Sequence, residues 1–389
     1  MSYLERLLEG VEVEWKHVWE VTIWDKKFNA VDNYKQPKTI KYNHLLAKEI
    51  KELVVEGGDV KLLTTNETDL WTTKELAGSN ISNSEVVAIP WGGNVIVQYF
   101  KGSFLTGDNR IAVSNDRALL ETKYLYYFLQ SKIKLLESFY RGSGIKHPSM
   151  ADVLDLQLPI PPIEVQKEIV RILDSFTELT AELTAELTAR KQQYSYYREQ
   201  LLSFEDRDVE WKTLGEISAI GTGRHDTKDA DENGQFIFYA RGVNPLKLNT
   251  YDFEETAIIT AGDGVGVGKV FHWAEGKYAL HQRAYRIAPN KDIINPRYVY
   301  HYLLANFYTY IEKTSVSSSV TSMRKPMFLK FPVAIPSLQE QARIVSILDK
   351  FDTLTTSISK GLPKEIELRQ RQYEYYRDML LSFPKPEQA

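Results

Sequence analysis

Residues 162–179 read PIEVQKEIVRILDSFTEL, and residues 337–354 read SLQEQARIVSILDKFDTL. A second pair of matching blocks follows them, because RKQQYSYYREQLLSF at 190–204 corresponds to RQRQYEYYRDMLLSF at 369–383. Two blocks that recur in the same order indicate a tandem duplication of a unit much longer than a solenoid repeat.

The duplication extends to shorter stretches outside these blocks. VEWKHVWEVT at 13–22 resembles VEWKTLGEIS at 209–218, and KYLYYFL at 123–129 resembles RYVYHYL at 297–303. The rest of each half differs, so the chain alternates a variable domain with a helical segment. The expected boundaries are residues 1–157 for the first variable domain, 158–204 for the central helix, 205–333 for the second variable domain and 334–389 for the C-terminal helix.

Apolar and aromatic residues recur at intervals of seven in both helical segments, as in Ile169, Phe176 and Leu183. Two such positions per heptad are typical of a coiled coil, so we expect the two segments to pair, antiparallel. The residues expected to pack in this helix pair are Ile169, Leu173, Phe176, Leu183, Leu187, Tyr194, Leu201, Ile344, Leu348, Phe351, Tyr373, Tyr376 and Leu380.

The second segment departs from the first at Gly361-Leu362-Pro363, where four extra residues interrupt the heptad register. A four-residue insertion unwinds a supercoil locally, and proline is unfavourable inside a helix. We therefore expect a kink near 361–363. The N-terminal segment 3–10 is expected to dock beside residues 380–383, which would close a pseudo-two-fold, circular arrangement.

The central segment contains the phrase Glu-Leu-Thr-Ala three times in succession, at residues 178–189. A four-residue period keeps Leu179, Leu183 and Leu187 close to one helix face, since residues four apart are neighbours there. We interpret the repeat as an adjustable length within a rigid rod.

Both variable domains have a mixed pattern. Short β-rich runs such as EVVAIP, NVIVQYF, QFIFYA and TAIIT alternate with polar loops, and a helical stretch closes each domain, at about 121–138 and 295–314. The expected fold class is mixed α+β, with two tandem α/β domains separated by two long antiparallel coiled-coil helices. Basic residues collect in two loops of each domain, at 24–41 and 141–149 in the first and at 221–229 and 315–326 in the second.

Composition and motifs indicate no catalytic chemistry in this chain. It lacks cysteine, which excludes a disulfide framework and thiolate metal sites, and its net charge is −4. The glycine run AGDGVGVGKV at 261–270 has neither P-loop nor dinucleotide-binding spacing, so we interpret it as a turn between strands. We expect a cytoplasmic protein without membrane contact, metal or bound cofactor, since no signal peptide or spanning segment is evident.

The twin blocks ILDSF and ILDKF, the twin QYxYYRxxLLSF motifs and the TAEL units resemble the specificity subunit of type I restriction–modification systems, in particular the IC-like class. The resemblance covers nearly the whole chain, and the helical blocks carry it. It implies that each variable domain is a target recognition domain for half of a split, asymmetric site on double-stranded DNA. The helix pair would set the spacer length and dock two modification subunits.

The resemblance also implies the chemistry of the partners. With modification subunits the chain would form an adenine-N6 DNA methyltransferase that uses S-adenosylmethionine. Restriction subunits would add ATP- and magnesium-dependent translocation and cleavage. These cofactors would belong to the partners, so the chain itself would be non-catalytic.

Loop residues that carry base-edge and phosphate donors are the candidates for DNA contact. These candidates are Lys26, Lys27, Tyr34, Lys35, Lys38, Arg141 and Lys146 in the first domain, and Arg224, His225, Lys228, Arg241, Lys269, Arg324 and Lys325 in the second. The candidates for docking of the modification subunit are Gln166, Arg171, Tyr196 and Tyr197. Two other functions stay open on the sequence: a non-enzymatic coiled-coil scaffold whose end domains bind protein or carbohydrate, and the specificity module of another restriction system.

Overall fold

The structure, a computed structural model, describes residues 7–205, 208–264, 266–314, 322–357 and 359–384. It divides into two compact units, Met1–Glu182 with Glu367–Ala389 and Leu183–Ile366. Each unit therefore contains one variable domain together with parts of both helical segments.

The first unit is built around a mixed sheet with the strand order β2-β7-β5-β6-β3-β4. Neighbouring strands are antiparallel except β3 and β6, which are parallel. Strands β1 and β10 form a separate antiparallel pair. The strands are β1 (Glu14–His17), β2 (Thr22–Trp24), β3 (Val60–Leu63), β4 (Trp71–Thr72), β5 (Ser82–Pro90), β6 (Gln98–Thr106), β7 (Asn109–Ser114), β8 (Tyr140–Arg141), β9 (His147–Pro148) and β10 (Gln157–Ile160).

Helices cover this sheet and continue into the long segment. They are α1 (Val18–Val21), α2 (Ala47–Glu52), α3 (Lys74–Ala77), α4 (Thr122–Ser131), α5 (Ile133–Phe139), α6 (Met150–Leu154) and α7 (Ile163–Leu202). The stretch expected to be one helix at 121–138 is thus two helices, α4 and α5, which meet at Lys132. Helix α4 packs on β5, and its aromatic residues Tyr124, Tyr127 and Phe128 belong to the largest core of the unit.

The second unit repeats this topology, with the strand order β12-β17-β15-β16-β13-β14 and a separate pair β11-β18. Its strands are β11 (Glu210–Thr213), β12 (Ser218–Thr222), β13 (Phe236–Tyr239), β14 (Leu246–Leu248), β15 (Phe253–Ala261), β16 (Phe271–Leu280), β17 (Ala284–Pro289) and β18 (Pro332–Ile335). Its helices are α8 (Leu214–Ile217), α9 (Pro296–Thr314), α10 (Lys325–Leu329) and α11 (Leu338–Thr356). Helix α9 buries Val299, Leu303 and Phe307 in the core, at the i, i+4, i+8 spacing of one helix face.

Proline residues separate the strands β10 and β18 from the long helices that follow them. Pro161 and Pro162 lie between β10 and α7, and Pro336 lies between β18 and α11. Proline is favourable at a helix start because the first helical N–H groups have no intrahelical partner. Ser337 caps α11, its hydroxyl accepting from the Glu340 amide at 3.3 Å.

The C-terminal helical segment is interrupted close to the expected position. Helix α11 ends at Thr356, and α12 (Gly361–Leu380) begins at the glycine of Gly361-Leu362-Pro363. Gly361 has a φ of +75°, and a side chain there would lie 2.4 Å from the Thr353 carbonyl oxygen, so only glycine fits. Ile358, which belongs to the heptad row, lies outside the described residues.

A buried glutamine connects each long helix to the domain of its own unit. The Gln166 amide nitrogen donates to the carbonyls of Leu119 and Pro161, both at 2.8 Å, and its oxygen accepts from the Glu121 amide at 3.0 Å. In the second unit, Gln341 donates to Pro336 at 2.8 Å and accepts from the Asn295 amide at 2.9 Å. Gln166 is 0% exposed, so the prediction that it docks a partner is wrong.

An aspartate two turns further along provides a second attachment. Asp174 accepts from Lys123 at 2.7 Å and from the Tyr127 hydroxyl at 2.5 Å, both on α4. The corresponding carboxylate in the second unit, Asp349, accepts from the Arg297 guanidinium and lies 2.7 Å from His301 Nε2, both on α9. Burial raises the pKa of the Asp349 carboxyl, but His301 and Arg297 outweigh this effect and hold that pKa below its ordinary value.

The heptad residues are buried to different degrees. Phe176 stacks on Tyr376 at 5.4 Å between ring centroids, and Tyr194 stacks on Phe351 at 5.8 Å. Fully or almost fully buried are Ile169, Leu173, Tyr194, Ile344, Leu348 and Leu380. Half-buried are Phe176, Leu183, Leu187, Leu201, Phe351, Tyr373 and Tyr376.

The first residues described, Leu7 and Leu8, pack against the same hydrophobic cluster as Leu380 and Phe383. Nearby, the Trp15 indole donates to the Pro384 carbonyl at 3.2 Å. This agrees with the expected docking of segment 3–10 for residues 7 and 8, whereas residues 1–6 lie outside the described part. Within the described part, no helix is long and apolar enough to span a membrane.

Substituting Gln166 tests the attachment of helix α7. In Gln166→Ala, one amide and two carbonyls would lose their partner in the interior, and one buried group left unpaired costs about 1–3 kcal/mol. We expect the free energy of unfolding of the first unit to fall by at least that amount in urea denaturation of the full chain. Gln192→Ala, at an exposed position of the same helix, should stay within about 0.5 kcal/mol of the unsubstituted protein. Equal effects of the two substitutions would contradict the attachment.

Candidate nucleic-acid interface

In the first unit, the connection after β5 is joined to the loop between β8 and β9. The Gly93 amide donates to the Lys146 carbonyl at 3.1 Å, and His147 Nδ1 lies 2.7 Å from the Trp91 carbonyl oxygen. A side chain at Gly92 would lie 2.8 Å from Ile145 Cγ2, so glycine permits this close approach. We call residues 91–93 and 141–147 the first connection surface.

The second unit has the same joint at the equivalent place. The connection after β15 contacts the segment before α10, because the Met323 amide donates to the Gly262 carbonyl at 2.7 Å. Asp263 also forms a β-bridge with Ser322. We call residues 262–263, 322–325 and the neighbouring side chains of Arg241 and Arg283 the second connection surface. The glycine run at 261–270 thus connects two strands, as expected.

Several predicted DNA contacts of the first unit are exposed. Arg141 and Lys146 lie on the first connection surface, and Arg141 donates to Asp152 at 2.9 Å. Lys26 and Lys27 are exposed directly after β2, and Lys38 is exposed further along the same loop. These side chains can reach phosphate groups without breaking a buried contact.

Two other predicted contacts of this loop are engaged within the protein. Lys35 donates to both oxygens of Asp155, at 2.7 and 2.8 Å, and its side chain is only 17% exposed. The hydrogen bond with Asp155 raises the pKa of Lys35. Tyr34 is exposed but packs edge-on against Trp19 at 5.7 Å between ring centroids. Lys35 is therefore less available for DNA than Lys26 or Lys38.

In the second unit, Arg241 and Arg324 each lie on the second connection surface. Arg241 lies on the second connection surface through its contact with Asp263, 2.8 Å between Nη1 and Oδ1. Arg324 and Lys325 are exposed at the start of α10, directly after the joint with Gly262. Lys269 is exposed on the same connection, with its ammonium 4.7 Å from the centre of the Tyr308 ring.

In the second unit, the carboxylate of Asp252 contacts two side chains of the loop 221–229. Asp252 lies 2.8 Å from Arg224 Nε and 3.3 Å from His225 Nε2. Arg224 is exposed, and Lys228 is exposed in the 3-10 turn Thr227–Asp229. The His225 side chain is largely enclosed, so the structure places it as a support of the loop rather than as a surface contact.

Three residues of these surfaces were missed from the sequence. Arg283 is exposed and lies 3.2 Å from Asp263, and Arg110 stacks on the Trp91 ring at 3.8 Å. His44 occupies the place in the first unit that His225 has in the second, since each forms a parallel bridge with a residue at the end of the neighbouring strand. The pairing of strands places these residues beside the loops, so the local sequence contains only a weak signal for them.

His44 forms the clearest titrating contact of the first unit. Its Nε2 lies 3.1 Å from Oδ2 of Asp25, which is buried. The contact with Asp25 raises the pKa of His44, while partial burial opposes the effect. Among the described residues, no group of three or more His, Asp or Glu is placed to hold a metal ion.

Comparison with known proteins gives the family. The model of the type I restriction modification DNA specificity domain matches residues 27–190 and again residues 206–368. The chain is 35% identical over 426 residues to the Type I restriction enzyme EcoR124I/EcoR124II specificity subunit of Escherichia coli, covering 100% of this chain and 98% of the relative. It is 31% identical to the putative type I restriction enzyme specificity subunit S.HindORF215P of Haemophilus influenzae, covering 98% of both.

A solved structure agrees with these relatives. The crystal structure of the S subunit of a type I restriction–modification system from M. genitalium superposes with a TM-score of 0.66, covering 99% of this chain and 100% of that one. Its 17% sequence identity supports the fold alone. The chain belongs to the type I restriction–modification DNA specificity family and carries the family's domain twice, which confirms the resemblance inferred from its helical blocks.

The His44–Asp25 contact predicts a pH dependence of stability. Because the folded state raises the pKa of His44, its contribution is fully present below the unfolded value of about 6.5 and is lost as pH rises through the folded value. His44→Gln should therefore lower the free energy of unfolding more at about pH 6 than at about pH 8.5, measured by urea denaturation. In an Asp25→Asn background the same substitution should have equal effects at both pH values. A pH-independent effect in the unsubstituted background would contradict the assignment.

Proposed function

We propose that this chain is the DNA-sequence specificity subunit of a type I restriction–modification complex and that each unit recognises one half of a bipartite, asymmetric DNA site. One observation carries the proposal: both units join the same two chain segments into an exposed surface with basic side chains at its edge. The relatives are named as specificity subunits. The chain's own contribution is therefore recognition.

The chemistry of the two connection surfaces fits DNA. Exposed lysines and arginines neutralise phosphates and fix the position of a protein on the duplex, while arginine recognises guanine by two hydrogen bonds in the major groove. The first surface carries Arg141 and Lys146, and the second carries Arg241, Arg283 and Arg324. Because the side chains differ between equivalent surfaces, the two half-sites should differ in sequence.

The long helices would set the distance between the half-sites. Phe176 of α7 stacks on Tyr376, and Tyr194 further along α7 stacks on Phe351, which precedes Tyr376 in the chain. As the residue numbers along α7 increase, the numbers of their stacking partners decrease. This order supports an antiparallel coiled-coil pair. The pseudo-two-fold, circular arrangement expected from the duplication belongs to the same proposal.

The partners follow from the family. Two modification subunits would supply S-adenosylmethionine-dependent adenine-N6 methylation, and restriction subunits would supply ATP- and magnesium-dependent cleavage of DNA in the cytoplasm. Of the docking candidates, Arg171, Tyr196 and Tyr197 are exposed on α7. Arg171 also pairs with Glu168, and Tyr197 also stacks on Phe351, so Tyr196 is the side chain most available to a partner.

Methylome sequencing of cells with and without this gene tests the function directly. We expect one bipartite motif with methylated adenine, present only when the gene and its partner genes are expressed. In the double variant Arg324→Ala/Lys325→Ala, occupancy of the motif should fall, because a lost phosphate contact weakens binding to all sequences alike.

Lys291→Ala is the matched control for this variant. Lys291 is exposed in the same unit and follows the C-terminal end of β17, whereas Arg283 precedes the N-terminal end of that strand. It should leave the methylome unchanged. The absence of any gene-dependent motif, with the partners expressed, would refute the proposed function.

Inserting one Glu-Leu-Thr-Ala unit after Ala189 of α7 tests the role of the helices. Four helical residues add about 6 Å, which corresponds to at most about two base pairs at roughly 3.4 Å each. We expect the methylated motif to keep both half-sites and to gain about one or two unspecified base pairs between them. An insertion of the same four residues in the exposed loop 65–67 should leave the spacer unchanged. A changed half-site, or an unchanged spacer in the α7 variant, would contradict the role of the helices.

A further inference from the structure

We propose that Asp263 is a positioning residue that holds Arg241 and Arg283 at a fixed spacing for recognition of one DNA half-site. The inference rests on the proposed function and names a specificity determinant within it. Each carboxylate oxygen contacts a different guanidinium: Oδ1 lies 2.8 Å from Arg241 Nη1, and Oδ2 lies 3.2 Å from Arg283 Nη1. One carboxylate therefore fixes two arginine side chains that come from different parts of the chain.

The backbone around Asp263 fixes the carboxylate in turn. The Gly262 amide donates to the Arg283 carbonyl at 2.8 Å, and the Gly262 carbonyl accepts from Met323 at 2.7 Å. A side chain at Gly262 would lie 2.7 Å from the Arg283 carbonyl oxygen, so glycine permits the approach of the two segments. These contacts involve main-chain atoms, so they persist when the Asp263 side chain is replaced.

The charges favour a fixed cluster. Partial burial raises the pKa of Asp263, but the hydrogen bonds and charges of Arg241 and Arg283 outweigh it and hold that pKa below its ordinary value. His281 lies beneath the cluster, and its Nδ1 accepts from the Arg283 amide at 2.9 Å. Burial, followed by the charge of Arg241, lowers the pKa of His281. At neutral pH the cluster is thus two guanidinium groups around one carboxylate, with a net positive charge.

The arrangement leaves hydrogen-bonding capacity for DNA. A guanidinium has five N–H donors, and the contact with Asp263 uses one on each arginine. The side chains of Arg241 and Arg283 are 40% and 62% exposed. Free arginine side chains lose rotamer freedom when they bind, so side chains that are already held in place bind a base edge at a lower entropic cost.

The equivalent place in the first unit lacks this cluster. The Trp91 amide donates to the Asp108 carbonyl, just as the Gly262 amide donates to the Arg283 carbonyl. Gly92 of the first unit is therefore equivalent to Asp263 of the second, and Asp108 is equivalent to Arg283. The effect of Asp263 should therefore be confined to the half-site recognised by the second unit.

The test compares Asp263→Asn with the double variant Arg241→Ala/Arg283→Ala in the full chain, expressed with its partner genes. We first determine the methylated motif of the unsubstituted system, then measure the affinity of each purified complex for a duplex with that motif and for a duplex with a scrambled second half-site. For Asp263→Asn we expect about ten-fold or greater loss of the affinity ratio between the two duplexes. Affinity for the scrambled duplex should be unchanged or higher, since a negative charge near phosphates is removed.

Glu254→Gln is the matched control, since Glu254 is another exposed carboxylate of the second unit, paired with Lys277, at the opposite end of β15 from Ala261. It should leave motif and affinities unchanged. Should Asp263→Asn lower the melting temperature beyond this control, Asp263→Glu keeps the charge but displaces both guanidinium groups, and it should relax the same half-site.

The outcomes separate the inference from the proposed function. A motif relaxed only in one half by Asp263→Asn and by the arginine double variant supports the inference. If the double variant relaxes the motif while both Asp263 variants retain it, Asp263 has no positioning role and the proposed function stands. If the unsubstituted system yields no bipartite motif, both are overturned.

Discussion

The hydrogen bonds of Gln166 and Gln341 are the constraint on which the geometry of each unit depends. A buried glutamine side chain needs partners for its own donors and acceptor. Here the partners are main-chain groups just before its own long helix and just before the core helix of the domain, α4 or α9. The start of the long helix is thereby fixed to the loop that positions the core helix. Asp174 and Asp349 add a second fixed point two turns later. Two fixed points on a rigid rod determine its direction relative to the domain that it leaves.

The same scaffold carries different chemistry in the two units. In both units a main-chain hydrogen bond joins the strand connection to the segment before α6 or α10, although the paired atoms and the side chains differ. The first surface has Arg110 buried against the Trp91 ring, and the second has a partly buried carboxylate between two more exposed arginines. Hydrogen bonds between main-chain atoms do not depend on side-chain identity, so the surface can vary while the joint persists.

The sequence predicts the helical part of this fold well because its signal is local. Heptad spacing predicts α7, which runs from 163 to 202 where 158–204 was expected, and Gly361 with Pro363 predicts the interruption before α12. Gln166 was misassigned to the surface, although it lies seven residues before Leu173 and so on the buried row. A polar residue on an apolar row is more simply explained by an internal hydrogen-bond partner.

The two connection surfaces were predicted less completely. The parallel pairing of β3 with β6 and of β13 with β16 joins strands that are distant in the chain, and no local pattern specifies it. Arg283 is brought beside Gly262 by the antiparallel pairing of β15 with β17, and His44 lies beside the end of β6, so a search along the sequence passes over both. Arg324 is a candidate from the sequence because it lies in the basic loop 315–326, whereas Arg241 lies outside the four basic loops.

The Glu-Leu-Thr-Ala repeat of α7 has a rotational consequence as well. A helix turns about 100° per residue, so each four-residue unit advances the following side chains by about 40° beyond a full turn. An apolar stripe about 100° wide therefore tolerates about two added units before the residues after the repeat face away from their original neighbours. The half-buried state of Leu183 and Leu187 is consistent with a stripe that already drifts. Growth of the repeat is thus limited by angular phase, and large changes in length would require a compensating change of register elsewhere in the helix.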